Sequence, residues 1–210
     1  MTVMLSDALS MPENSSIFGA VNADMLASYA QFCETVETRI YDAMVHLENN
    51  KKSFSLLGED ALTAIIATGL AMSGLDADHD TNRNGHADLL VKRGRFEWLG
   101  EAKLENGPAY SMEGFRQLAD RYTTGRPLAS RGGLLLYSQK GNKTQVMKDW
   151  FDHLKANYES EVTVGELCPV TLSQTTLHQH KDTGTDYTTR HFVVSFYENP
   201  TDKSARNRKA

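Results

Sequence analysis

The chain has 210 residues, with 22 basic and 27 acidic side chains and a formal net charge of −5. Forty per cent of residues are apolar, too many for a disordered chain, and the acidic balance excludes a general nucleic-acid coat. No apolar run reaches the roughly 18–20 residues of a membrane span, no basic segment precedes an apolar stretch at the start as in a signal peptide, and Cys33 and Cys168 share no zinc-knuckle or disulfide-framework spacing.

These features predict a soluble cytoplasmic protein with no membrane partner and a single domain over 1–200, with a helical part at 22–73, a core at 55–158 and a hairpin at 166–198. Residues 1–21 read as a weakly structured lead-in. Asn22 caps a long helix to about Leu47, whose stripe Met25, Tyr29, Phe32, Val36, Ile40, Ala43, Leu47 steps by three and four. That stripe is most simply core; a dimer face is the alternative. A second helix runs from about Gly58 to Met72, and 74–85 reads as a polar loop. Its Asp76, Asp78 and Asp80 lack the glycine and glutamate spacing of an EF-hand.

The period then changes from 3.6 to 2. Residues 86–92 and 95–104 read as strands around an Arg93-Gly94 turn. A third helix spans about Ser111–Tyr122, with Met112, Phe115, Leu118, Ala119 and Tyr122 inward. The apolar run Gly132–Ser138 suits a central strand buried on both faces. A fourth helix covers about Lys143–Tyr158, and Gly141–Thr144 lacks the glycine spacing of a P-loop. Thr171–Gln179 and Thr188–Tyr197 form a C-terminal hairpin, and 201–210 is a basic, disordered tail. His178, His180 and His191 read as surface strand residues rather than a zinc site. The whole is an α/β (α+β) domain with a central mixed sheet flanked by helices.

In the first hairpin, pairing residue i with 187 − i sets Leu89 opposite Trp98. One face then holds Ala87, Leu89, Val91, Phe96, Trp98, Gly100, Ala102 and Leu104, all apolar or glycine, which belongs on a core. The other gathers Asp88, Glu101 and Lys103, with Asp88 diagonal to Glu101, within reach for two carboxylates sharing an ion.

The pattern Asp88-x12-Glu101-Ala102-Lys103 resembles the signature of the PD-(D/E)xK nuclease superfamily, the restriction-endonuclease-like fold, in which an Asp and a Glu-x-Lys lie on neighbouring strands behind a helix. Ala87 stands where the family name has Pro. The resemblance covers roughly 55–140 and implies a Mg²⁺-dependent deoxyribonuclease, with Mn²⁺ able to substitute. It implies Asp88, Glu101, the Ala102 carbonyl and Glu59 as metal ligands, and Lys103 as the group that holds the attacking water. Glu59 has a structural alternative, as an acid favoured by the helix dipole, and Asp60 competes with it. Gln117 resembles a glutamine that many members place near the site. Tyr122 lies one residue beyond the usual Gln-x-x-x-Tyr spacing and is not carried over.

Arg116, Arg121, Arg126, Arg131, Lys140 and Lys143 either track a phosphate backbone or form a solvated face. His86 sits at the rim beside Arg116 and Arg121 as a substrate-binding candidate. The expected partner is DNA, cut with little sequence specificity, with a homodimer or partner protein supplying more, as in nucleases of bacterial or phage defence systems. The rival readings are an inactive nuclease-fold module for binding or assembly, and a hydrolase of another phosphate ester.

Overall fold

The computed structural model describes residues 16–82 and 85–199, with side chains from residue 25. Helix α1, Ser16–Asn49, starts earlier than the Asn22 cap predicts, so the lead-in over 16–21 is helical. The remaining lead-in and the 201–210 tail lie outside the described residues. A single turn, α2 (Lys51–Phe54), follows, then α3 (Glu59–Met72).

The strands are β1 (Asp76–Asn82), β2 (His86–Arg93), β3 (Phe96–Leu104), β4 (Arg131–Ser138), β5 (Thr163–Val164), β6 (Gln174–Gln179) and β7 (Asp186–Ser195). They form one mixed sheet in the order β1-β2-β3-β4-β7-β6-β5. Helix α4 (Pro108–Arg116) runs into a π segment, Gln117–Tyr122, and α5 is Lys143–Asn157. The sheet is antiparallel at both ends, and β3, β4 and β7 are parallel in the middle. Parallel central strands need both faces covered. One face takes α1 and α3 over Leu89, Val91, Trp98 and Leu135. The other takes α4 and α5 over Leu134, Leu136 and Val193. Among the described residues no helix is long and apolar enough to cross a membrane.

Three expectations are corrected. The acidic loop at 74–85 is largely strand β1, an edge strand whose exposed residues alternate, Asp76, Asp78 and Asp80 outermost. Such charges keep a free edge from pairing with other chains. The hairpin loop is Gly94-Arg95, with Gly94 at φ +62°, so Arg93 pairs with Phe96 and Leu89 with Gly100. Each pair therefore sums to 189 and not 187. A shift of two keeps parity, so the two faces stand as read, while every cross-strand neighbour changes. The three histidines are buried, not on the surface. His191 accepts from the Trp150 Nε1–H at 3.1 Å and so must donate through Nε2 to Thr176 at 2.8 Å. His178 lies among Phe115, Tyr158 and Tyr187, and neither of its ring nitrogens has a partner among the described residues.

Candidate active site

The site lies where β2 and β3 part. The last paired neighbours are Leu89 and Gly100, so Asp88 and Glu101 are the next residues on each strand, not the diagonal pair expected. Beyond Leu89 the ladder gives way, and Asp88 Oδ2 accepts the Ala102 N–H at 2.8 Å. Glu101 and Lys103, two apart on β3, point the same way. Lys103 Nζ sits 2.6 Å from Glu101 Oε1, 3.2 Å from Glu59 Oε1 and 4.0 Å from Asp88 Oδ2. Glu59, in the first turn of α3, reaches the end of β3, where its Oε2 accepts the Leu104 N–H at 2.8 Å. The four expected catalytic side chains thus converge. Asp60 has no contact in this cluster.

Three carboxylates face one ammonium in a nearly dry place: Glu101 is 1% exposed and Lys103 8%. Burial, and then the negative charge of Asp88, push the Glu101 carboxyl up to about 8. Burial also raises Asp88, against the Ala102 N–H and Lys103 that favour its charge. For Lys103 burial works toward the neutral form, but Glu101, Asp88 and Glu59 outweigh it and hold the amine above its ordinary range. The resting cluster therefore keeps an ammonium and a readily protonated Glu101.

Glu101 Oε2 is buried and, as a carboxylate oxygen, has no donor among the described residues. A proton on the carboxyl, a water or a cation would each satisfy it. The donor set fits a hard divalent ion in kind: two adjacent carboxylates, a third behind them and the Ala102 carbonyl. Among the described residues no three His, Cys, Asp or Glu side chains already stand around a common ion position, because Lys103 occupies the middle of the cluster.

The remaining candidates scatter. His86, on the rim, pairs its Nδ1 with Asp80 Oδ1 at 2.8 Å. Arg116 is turned away, bound to Glu159 and the Asn157 carbonyl. Gln117 opens the π segment. The Arg121 guanidinium lies over the Tyr122 ring, 5.6 Å from its centroid, and both crowd Gly85, where a Cβ would come within 2.9 Å of them. The supposed basic track is mostly consumed by ion pairs: Arg131 with Glu37, Lys140 with Glu105, Lys143 with Glu48.

Two residues at the site escape the sequence reading. Tyr122 fails the four-residue spacing, but a π segment bonds i to i+5, so Gln117 and Tyr122 lie one turn apart and the extra residue is absorbed. Burial, and then the charge of Glu101, raise the Tyr122 phenol, with Asp88 and Lys103 also within its field. The second is Asp80. The pairs His79↔Leu89 and Thr81↔Ala87 bracket it beside Asp88, but its backbone is left-handed at φ +53° and its carboxylate pairs with His86, so it flanks the cluster without joining it. A strand signal in 76–82 would have placed it there.

These shifts set a stability optimum. His178 is depressed to about 4 and His191 to about 3, chiefly by burial. The unfolded chain takes up those protons below about pH 6.5 and the native state does not, so each histidine costs stability as pH falls. Glu101 does the reverse: the unfolded chain releases its proton near 4.5, the native state near 8, so stability falls as pH rises between them. Each proton counts for about 1.4 kcal/mol per pH unit. Stability without metal should therefore peak near pH 6.5 and drop by roughly 1 kcal/mol toward both pH 5 and pH 8, because the two limbs partly offset each other. Urea unfolding across pH checks this. His178→Leu should flatten the acid limb and Glu101→Gln the alkaline one; unchanged limbs in both variants would refute the assignment.

The chain matches no family model, no curated protein and no solved structure. The fold and the site thus define a mixed α/β domain with a buried carboxylate–lysine cluster.

Proposed function

We propose that the chain is a metal-dependent nuclease that hydrolyses DNA phosphodiester bonds at the Asp88–Glu101–Lys103 cluster. One observation carries this: a lysine and two carboxylates are gathered where two neighbouring strands part, with a buried Glu101 oxygen that has no donor among the described residues. Asp88, Glu101, the Ala102 carbonyl and Glu59 would hold Mg²⁺ or Mn²⁺. When bound, the ion supplies charge neutralisation at the phosphate and an acidified water. Lys103, kept protonated by its neighbours, orients the attacking water and offsets phosphate charge. Glu59 holds the Lys103 ammonium and pins the end of β3 through the Leu104 N–H. Tyr122, Arg121 and His86 line the rim where the substrate would enter. On this reading the protein works on nucleic acid in the cytoplasm, with a second copy or a partner as the source of any sequence specificity.

The stem of Lys103 passes beneath Gly114 of α4, where a Cβ would lie 2.6 Å from its Cγ. Gly114→Ala should push the ammonium aside and lower cleavage about 10–100-fold, since displacements near 1 Å cost that much. Cleavage equal to the parent would show that the position of Lys103 is not used.

A second reading has its own support. Asp88 and Glu59 each tie an oxygen to a backbone N–H, which also suits a purely structural clasp in an inactive binding or assembly module. Incubation of plasmid, linear duplex, single-stranded DNA and RNA with Mg²⁺, Mn²⁺ or chelator separates the two. Chelator-sensitive cutting of DNA is expected; DNA binding without any cutting would favour the inactive module.

A further inference from the structure

A wide groove lies away from the carboxylate–lysine cluster. It holds about 900 Å³ and is lined by Met25 and Leu26 of α1, Arg95 and Glu97 of the β2–β3 hairpin, and the segment Thr124 to Ala129. Arg95, in the turn just before β3, is six residues from Glu101, so the groove begins about 20 Å from Glu101 at roughly 3.3 Å per residue. The segment that follows Tyr122 connects them: it leaves the site rim at Arg121 and Tyr122 and reaches the groove at Thr124 and Arg126 before β4 begins.

Two features give the groove a chemical preference. Arg95 and Arg126 are both exposed, and among the described residues neither guanidinium has an ion-pair or hydrogen-bond partner, in contrast to Arg116, Arg131, Lys140 and Lys143. Among the described residues of the lining, two arginines stand against one acid, Glu97, a cationic balance on a chain of charge −5. Its floor is apolar, formed by Met25, Pro127, Leu128 and Leu26, the last 49% exposed.

A duplex offers phosphates but hides its base faces, and would gain nothing from such a floor. A single strand offers both phosphates and uncovered bases. We infer that this groove binds a single-stranded polynucleotide running from the carboxylate–lysine cluster, with phosphates on Arg95 and Arg126 and bases on Leu26, Pro127 and Leu128. The assignment deepens the nuclease reading and rests on it for the direction of the strand; the binding itself does not require cleavage.

The test is fluorescence anisotropy of the full chain with a labelled 20-nucleotide oligothymidine and a labelled 20-base-pair duplex, in chelator so that nothing is cut. The single strand should bind at least about tenfold tighter than the duplex. Arg95→Glu with Arg126→Glu should weaken the single strand at least tenfold. Converting the arginines to glutamine should make the slope of log K against log salt shallower by about 1.4, at 0.7 per phosphate contact. Leu26→Ser, which leaves charge alone, should weaken the single strand several-fold and leave the duplex unchanged. No binding of the single strand, equal binding of duplex, preference for an acidic peptide of the same charge, or indifference to all these substitutions overturns the assignment. The same samples in Mg²⁺ report cleavage separately. Intact, substitution-sensitive binding with no cutting sinks the nuclease reading and leaves the groove assignment standing.

Discussion

Lys103→Met is expected to reduce Mg²⁺-dependent DNA cleavage by at least about 10³-fold, the scale on which loss of a group acting on a developing charge is felt. Methionine keeps the length of the stem beneath Gly114 and removes only the ammonium. What it leaves behind is Glu59, Asp88 and Glu101 facing one another in a nearly dry place. They cannot all remain charged, so Glu101, already pushed up to about 8, keeps its proton further into the alkaline range. The variant should therefore stay folded at neutral pH, with circular dichroism like the parent, and lose turnover. Asp88→Ala should lose cleavage to a similar degree by a different route: it removes a would-be ligand and frees the Ala102 N–H. Lys103→Met should still bind the single strand in chelator, since Arg95 and Arg126 are remote. Parent-like cleavage by either variant ends the case for this cluster.

How much of this was legible in the chain depends on parity and spacing. The two faces of the first hairpin follow from alternation alone, and a turn misplaced by one residue moved the register by two without exchanging faces. Asp88, Glu101 and Lys103 therefore share a face in either register, while their cross-strand neighbours differ. Glu59 is legible through the resemblance, which places an acid on the helix before the two strands, while the helix dipole offers a purely structural reason for the same acid. Strand β1 was missed because Asp-Ala-Asp-His-Asp-Thr-Asn has the composition of a loop; it is a strand because β2 offers it a ladder and its alternate residues face solvent. The π segment was not legible either, since propensity does not mark one extra residue in a turn.

The ion pairs were least legible. Arg131 reads as a free cation in a basic series, and Glu37 as one more polar residue on a long helix. Only the packing of α1 across β3, β4 and β7 brings them together. Likewise His178 and His191 read as surface residues until β6 and β7 are placed under α4 and α5, where Phe115 packs on His178 and Trp150 and Phe151 on His191.

That Glu37 network yields the largest expected loss of stability. Its carboxylate is 6% exposed. It accepts two hydrogen bonds from Arg131, at 2.7 and 2.6 Å, and a weaker one from the Trp98 indole at 3.4 Å, and it pairs with Arg190. One acid on α1 thus ties down β3, β4 and β7. Glu37→Ala leaves two guanidiniums, each about four-fifths covered, repelling one another with no anion between them. Breaking a buried pair from one side costs about 3–5 kcal/mol, a large share of the 5–15 kcal/mol that holds a domain of this kind. Urea unfolding should show that loss. Removing all three charges together, as Glu37→Met with Arg131→Leu and Arg190→Met, should cost less than Glu37→Ala alone, because no unpaired charge then remains buried. Glu37→Ala within 1 kcal/mol of the parent, on the ordinary scale of a surface change, would mean that α1 is held by its apolar stripe alone. The strands that carry Glu101 and Lys103 would then owe nothing to this carboxylate.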